Sequence, residues 1–116
     1  MNYKIKYIEH QGKIEDMIFS FDGDYCILSE FLDDVDSFSE EYLKIFDNVL
    51  SGKEEKDAAY GNCCSFKIDK NKTVVESLYP EDEGVLTTCT VNTRELRSLM
   101  DEWLKKKTEF LKRKER

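Results

Sequence analysis

Two apolar periods place this chain in the α+β class. Tyr3, Ile5 and Tyr7 alternate with Lys4 and Lys6, and a period of two returns from Cys63 to Val91; alternation of this kind marks strands with one solvated face. Between these stretches Phe31, Val35, Phe38, Tyr42, Ile45 and Val49 recur at spacings of 4, 3, 4, 3 and 4, the signature of one buried helix face. Strand pairs separated by short turns, with helices outside a strict βαβ alternation, imply antiparallel pairing. The expected fold is an antiparallel sheet of about five strands with two main helices, in the order β-β-α-β-β-β-α. A chain of 116 residues makes one domain, residues 1–116, with one core.

The first strand turns at Gln11-Gly12-Lys13 into a second, Ile14 to Phe21, with Met17, Phe19 and Phe21 on one face; the two form a hairpin. Asp22-Gly23-Asp24 follows. It resembles the opening of a calcium loop, but the later glycine and the glutamate at the twelfth position are out of register, so it reads as a turn. The helix starts near Ser29, which can cap it, and runs to Leu50, where Gly52 can end it in the left-handed conformation. No glycine or proline interrupts it, which favours one continuous or slightly bent helix. Ser37-Phe38-Ser39-Glu40 has the form of a capping box, so a break at 36–39 is the alternative. Lys53 to Asp57 reads as a charged loop.

Further on, Cys64, Phe66 and Ile68 share a face, Asp69-Lys70-Asn71-Lys72 turns the chain, and Thr73 to Leu78 returns. An acidic loop from Tyr79 to Gly84 holds the only proline, and Val85 to Val91 reads as a strand that could be central in the sheet. Asn92 with Glu95 forms a capping box for the last helix. Leu96, Leu99, Met100, Trp103, Leu104, Phe110 and Leu111 mark its buried stripe. Trp103 lies within that stripe, which makes it a core residue rather than a ligand platform. Residues 111–116 are a basic tail expected to fray.

Composition narrows the function. No apolar run is long enough for a membrane helix, and residues 1–10 lack a secretory apolar core, so a cytoplasmic protein without a membrane partner is expected. Cys26, Cys63, Cys64 and Cys89 lack metal-ligand spacing, and His10 is the sole histidine; reduced thiols, no metal and no cofactor are expected. His10 has no serine or cysteine motif beside it, no glycine-rich phosphate loop occurs, and no carboxylate pair stands out as an acid and base. The expectation is a protein that is not an enzyme.

Charge is the dominant irregularity. Residues 22–57 hold twelve acidic residues against three lysines, a local charge of −9 in a chain of net −7. Asp33, Glu40 and Asp47 sit seven residues apart, opposite the apolar stripe, with Asp34, Asp36 and Glu41 beside them. Glu81, Asp82 and Glu83 add a second acidic patch. These nine residues are the candidate partner-binding set. A solvated face conferring solubility explains such a run without any partner. Its concentration in one part of the chain instead suits encounter with a basic protein, where carboxylates mimic the phosphates of a nucleic acid. The same charge disfavours direct nucleic-acid binding, and the basic residues from Lys105 onward complement the helix macrodipole.

Three runs carry a resemblance: Phe31-Leu32-Asp33-Asp34-Val35, then Val49-Leu50-Ser51-Gly52-Lys53, then Tyr60-Gly61-Asn62 entering a strand. With the closing segment Thr93 to Leu104, the layout over residues 20–105 resembles small immunity proteins of bacterial toxin systems. It is most similar to those of contact-dependent growth inhibition (CdiI-like) and more loosely to YacL-type proteins. The resemblance implies an immunity or antitoxin-like inhibitor that binds and neutralises a cognate toxin domain, commonly a basic nuclease. A small regulatory or ligand-binding domain using its sheet face is the alternative. Neither reading sets the oligomeric state.

Overall fold

A hairpin opens the chain. In the computed structural model, which describes residues 2–79 and 87–114, β1 (Lys4–His10) pairs antiparallel with β2 (Lys13–Ser20). Gln11 and Gly12 take the left-handed conformation, with φ of 52° and 79°, which a two-residue turn matched to strand twist requires. The register slips between Ile8 and Glu9, leaving a β-bulge. After a 3-10 turn (Gly23–Tyr25) come α1 (Leu28–Ser37) and α2 (Ser39–Leu50). The second sheet, in the order β3-β4-β5-β6, is antiparallel throughout: β3 (Lys56–Tyr60), β4 (Cys64–Asp69), β5 (Lys72–Ser77) and β6 (Thr88–Asn92). α3 (Thr93–Lys114) follows β6 without a loop.

The class is as expected, but the layout differs in four ways. The strands fall into two sheets, of two and four strands. The third strand, β3, begins inside the stretch read as a charged loop; it is short and almost wholly exposed, so no apolar alternation announces it. The strand ending at Val91 is an edge, not a central strand; Val85 and Leu86 lie outside the described residues. Finally, the long central helix is two helices. Phe38, at φ −128° and ψ 34°, breaks it.

That break explains why the apolar spacing misled. No residue is inserted at Phe38, so the stripe keeps its count while the axis bends. A straight 22-residue helix would run roughly 33 Å, longer than the four-stranded sheet can cover on one side. The bend lets Phe31 and Tyr42 stack 6.0 Å apart and both meet the Phe66 ring edge-on, at 5.8 and 4.9 Å. The serine-glutamate capping box does not form. Phe38 is the N-cap of α2 and no side chain caps it. Ser29 does not cap α1 either: the helix begins one residue earlier, and the Ser29 hydroxyl donates to the Phe19 carbonyl at 2.6 Å. Gly52, by contrast, is left-handed at φ 85° and its N–H donates to the Val49 carbonyl, the expected stop.

One face of the large sheet is the core. Phe66, Ile68, Val75, Cys89 and Val91 point inward onto Phe31, Tyr42, Phe46, Leu96 and Met100, all buried. Ala58, Lys67, Thr88 and Thr90 occupy the other face, exposed. α3 joins the two sheets. The Asn92 side chain accepts from the Glu95 N–H at 3.0 Å, as the sequence predicts. Thr93, fully buried, donates its hydroxyl to the Asp69 carbonyl at 2.8 Å and lies 2.9 Å from the Thr73 hydroxyl. Further along, the Trp103 indole meets Phe19 edge-on at 5.0 Å. Leu111 is exposed rather than part of the stripe. The helix continues through Lys114, whose ammonium donates to the Glu15 carbonyl at 2.7 Å; the last two residues of the tail expected to fray, 115 and 116, lie outside the described residues. Among the described residues no helix is long and apolar enough to cross a membrane.

Candidate partner-binding surface

Helical geometry divides the acidic residues by direction. On α1 and α2 the apolar stripe turns to the sheet, which leaves Asp33, Asp36, Glu40, Glu41 and Asp47 exposed. Asp34 goes the other way. It is 1% exposed, and its carboxylate accepts the backbone N–H groups of Asn62, Cys63 and Cys64, at 2.9, 3.0 and 2.8 Å. It therefore ties α1 to the start of β4 and is absent from the acidic surface. Its neighbour across this contact is Gly61: a Cβ there would collide with the Asp34 carboxylate and the Tyr42 hydroxyl. Burial also pushes the Tyr42 hydroxyl and the Cys63 and Cys64 thiols up from their usual ranges. All four cysteines are free thiols, and Cys26 is the exposed one.

The exposed carboxylates are not equivalent. Asp47 is held by Arg97, Nε to Oδ1 at 2.9 Å, and Arg97 also pairs with Asp101 one helical turn on. Asp36 accepts the Trp103 Nε1–H at 3.0 Å. Glu40 and Glu41 occupy the first turn of α2, where negative charge also offsets the exposed N–H groups of the helix end. Asp33 makes no hydrogen bond with the described residues. Its carboxyl is pushed up by burial and then by the negative charge of Asp16, Asp34 and Glu30, against the pull of Lys107. Asp36 is likewise raised by burial, with Lys107 and Trp103 opposing. Glu81, Asp82 and Glu83 lie outside the described residues.

Tertiary structure adds two residues that no sequence spacing indicates. Asp16, from β2, joins Asp33 and Asp36 around Lys107, whose charge acts on all three, and Lys114 adds a second cation at Asp16. Burial raises the Asp16 carboxyl, but the Lys107 ion pair and the Met17 N–H outweigh it and leave it low. Lys107 also lies over the Trp103 and Phe110 rings, at 5.4 and 5.9 Å. The patch thus holds three carboxylates about Lys107, with Lys114 at its Asp16 edge, and keeps an excess of negative charge. A surface of this composition can attract and orient a cationic protein. On the bare side of the large sheet a depression of about 490 Å³ is lined by Ala58, Lys67, Val74 and their neighbours. His10 ends β1 at the hairpin tip, exposed.

Comparison with known proteins finds a relative. Over 81 residues the chain is 36% identical to a protein of Bacillus cereus named "Immunity protein", a match spanning 70% of this chain and 68% of that one. No family model matches the chain, and no solved structure does.

Proposed function

The chain belongs to the immunity proteins, and from that premise we propose that it binds and neutralises a cognate toxin, a basic nuclease, through the acidic face of α1 and α2. One observation carries the proposal. Asp33, Asp36, Glu40 and Glu41 stand exposed on the side of the two helices turned from the core, and only Asp36 among them has a hydrogen-bond partner among the described side chains. A field of this kind attracts lysines and arginines arranged for phosphate and covers the groove that holds them. The inhibitor needs no chemistry of its own. It acts in the cytoplasm of the producing cell, on a toxin exchanged between neighbours as in contact-dependent growth inhibition. The acidic run Glu81-Asp82-Glu83 is a second point of contact in this reading.

Asp34 and Asp47 drop out of the working set because the first is internal and the second is already paired. The test therefore reverses Asp33, Glu40 and Glu41 to lysine and measures association with the toxin domain that co-purifies with the native protein. The triple variant should associate about tenfold more slowly at low salt, with a smaller change in dissociation. Raising ionic strength should slow the native protein toward the variant, since exposed charges are screened over about 8 Å at physiological salt. A triple variant that associates at the native rate and still protects cells would refute the acidic-face reading.

A further inference from the structure

Opposite in character to the acidic helices, a groove of about 440 Å³ runs between the hairpin and the C-terminal half of α3. Ile5, Tyr7, Ile14, Met17 and Phe110 line its apolar side. Ile5, Tyr7 and Ile14 remain 37%, 51% and 45% exposed, although Ile5 and Tyr7 pair across the hairpin with the buried Phe19 and Met17. The hairpin overhangs the helix there, and the Tyr7 and Phe110 rings, 6.1 Å apart and tilted at 37°, do not close the gap.

The helix side is cationic. Lys106, Phe110, Arg113 and Lys114 lie at helical spacing on one face, with Glu109 the one carboxylate among them. Lys114 is engaged by the Glu15 carbonyl, but Lys106 and Arg113 form no hydrogen bond or ion pair with the described residues. In a chain of net charge −7, three cations against one carboxylate, Glu109, beside an apolar groove are a local exception.

We propose that this groove binds a single-chain amphiphilic carboxylate, its hydrocarbon body on Ile5, Tyr7, Ile14, Met17 and Phe110 and its head group at Lys106 and Arg113. The volume falls in the range of small-molecule sites, about 300–1,000 Å³, with an apolar lining and a few placed polar groups. Shape selects a free amphiphile over a bilayer: the apolar residues line a concave gap between two elements, which admits one chain, whereas a bilayer needs an apolar surface that protrudes. Charge selects the head group, because Lys106, Arg113 and Lys114 outnumber Glu109 along the helix side of the groove. The site borders the acidic patch at Asp16 and Lys107 but contains none of Asp33, Glu40 and Glu41, and it does not depend on the toxin.

The test is a nitrogen-15 NMR titration of the full chain with dodecanoate below its micelle concentration, run beside dodecyltrimethylammonium, which has the same chain and the opposite charge. Saturable single-site binding is expected, with shifts centred on Ile5, Tyr7, Ile14, Phe110 and Arg113, and the cation should bind about tenfold more weakly. Ile14→Ser and Arg113→Glu change exposed side chains and should leave the fold intact while each lowers dodecanoate affinity several-fold. Equal binding of both amphiphiles, absence of saturation, or shifts centred elsewhere overturns the assignment. So would phosphatidylglycerol vesicles, or a synthetic acidic amphipathic peptide, that bind through Arg113 where dodecanoate does not; the groove would then belong to a membrane surface or a protein segment.

Discussion

Two adjacent aspartates on α1 have opposite work. Asp34 accepts three backbone N–H groups in a buried site, and hydrogen bonds to a charged group contribute more than neutral ones, about 1.5–3 kcal/mol each. Asp34→Ala should therefore destabilise by about 3 kcal/mol or more in urea unfolding, because the stranded N–H groups keep their desolvation cost; a loss under about 1 kcal/mol would mean water replaces the carboxylate. Asp33 should behave in the reverse sense. Its folded-state pKa is raised, so the folded protein binds the proton more tightly than the unfolded chain, and this residue's destabilising effect grows as pH rises through that range. Asp33→Asn should stabilise by about 0.3 kcal/mol at neutral pH, a small figure because solvent screens the site. The gain should vanish below the unfolded-state value of about 3.9. A stability difference that is flat with pH would remove the charge explanation.

At the scale of elements, ends and junctions decide more than interiors. α3 is launched straight from β6, and two contacts aim it: the Asn92 cap and the buried Thr93 hydroxyl on the β4–β5 turn. Asp69 holds that turn closed by accepting the Asn71 and Lys72 N–H groups, both at 2.8 Å, and those hydrogen bonds keep its carboxyl below the usual range. Asn92→Ala should cost about 1 kcal/mol, as removal of an N-cap typically does. Thermal melts within about 0.2 kcal/mol of the native protein would show that Thr93 alone starts the helix.

For the whole molecule, stability should be uneven. The four-stranded sheet is closed on one face by all three helices, whereas β1 is exposed along its full length in a sheet of only two strands. Two-stranded pairs are marginal by themselves, so the hairpin depends on α3, through Phe19 against Trp103 and through the Lys107 and Lys114 contacts. Amides of β1 should exchange with solvent ahead of those of β4 and β5; equal protection in both sheets would show that the hairpin opens only with global unfolding. The charge follows the same division. The acidic helices lie over the large sheet, and the cationic groove lies under the hairpin.

Local pattern was enough for whatever repeats along the chain. The hairpin, the alternation of Cys64, Phe66 and Ile68, the left-handed stop at Gly52 and the cap at Asn92 are each set by residues within a few positions of one another, where backbone sterics and side-chain hydrogen bonds act. The acidic character of residues 22–57 is legible for the same reason, since charge is a property of composition. Direction is not. Asp33 and Asp34 are chemically the same residue, and only the arrival of Gly61 and the Asn62–Cys64 backbone from 28 to 30 residues away makes one of them internal. The bend at Phe38 answers to the size of a sheet that did not yet exist in the local pattern, and β3 is a strand because β4 offers it an edge. Asp16, Lys107 and the groove beside them join residues about 90 positions apart. Such proximity is settled by packing, because desolvation and Coulomb energies depend on distance in space and not along the chain.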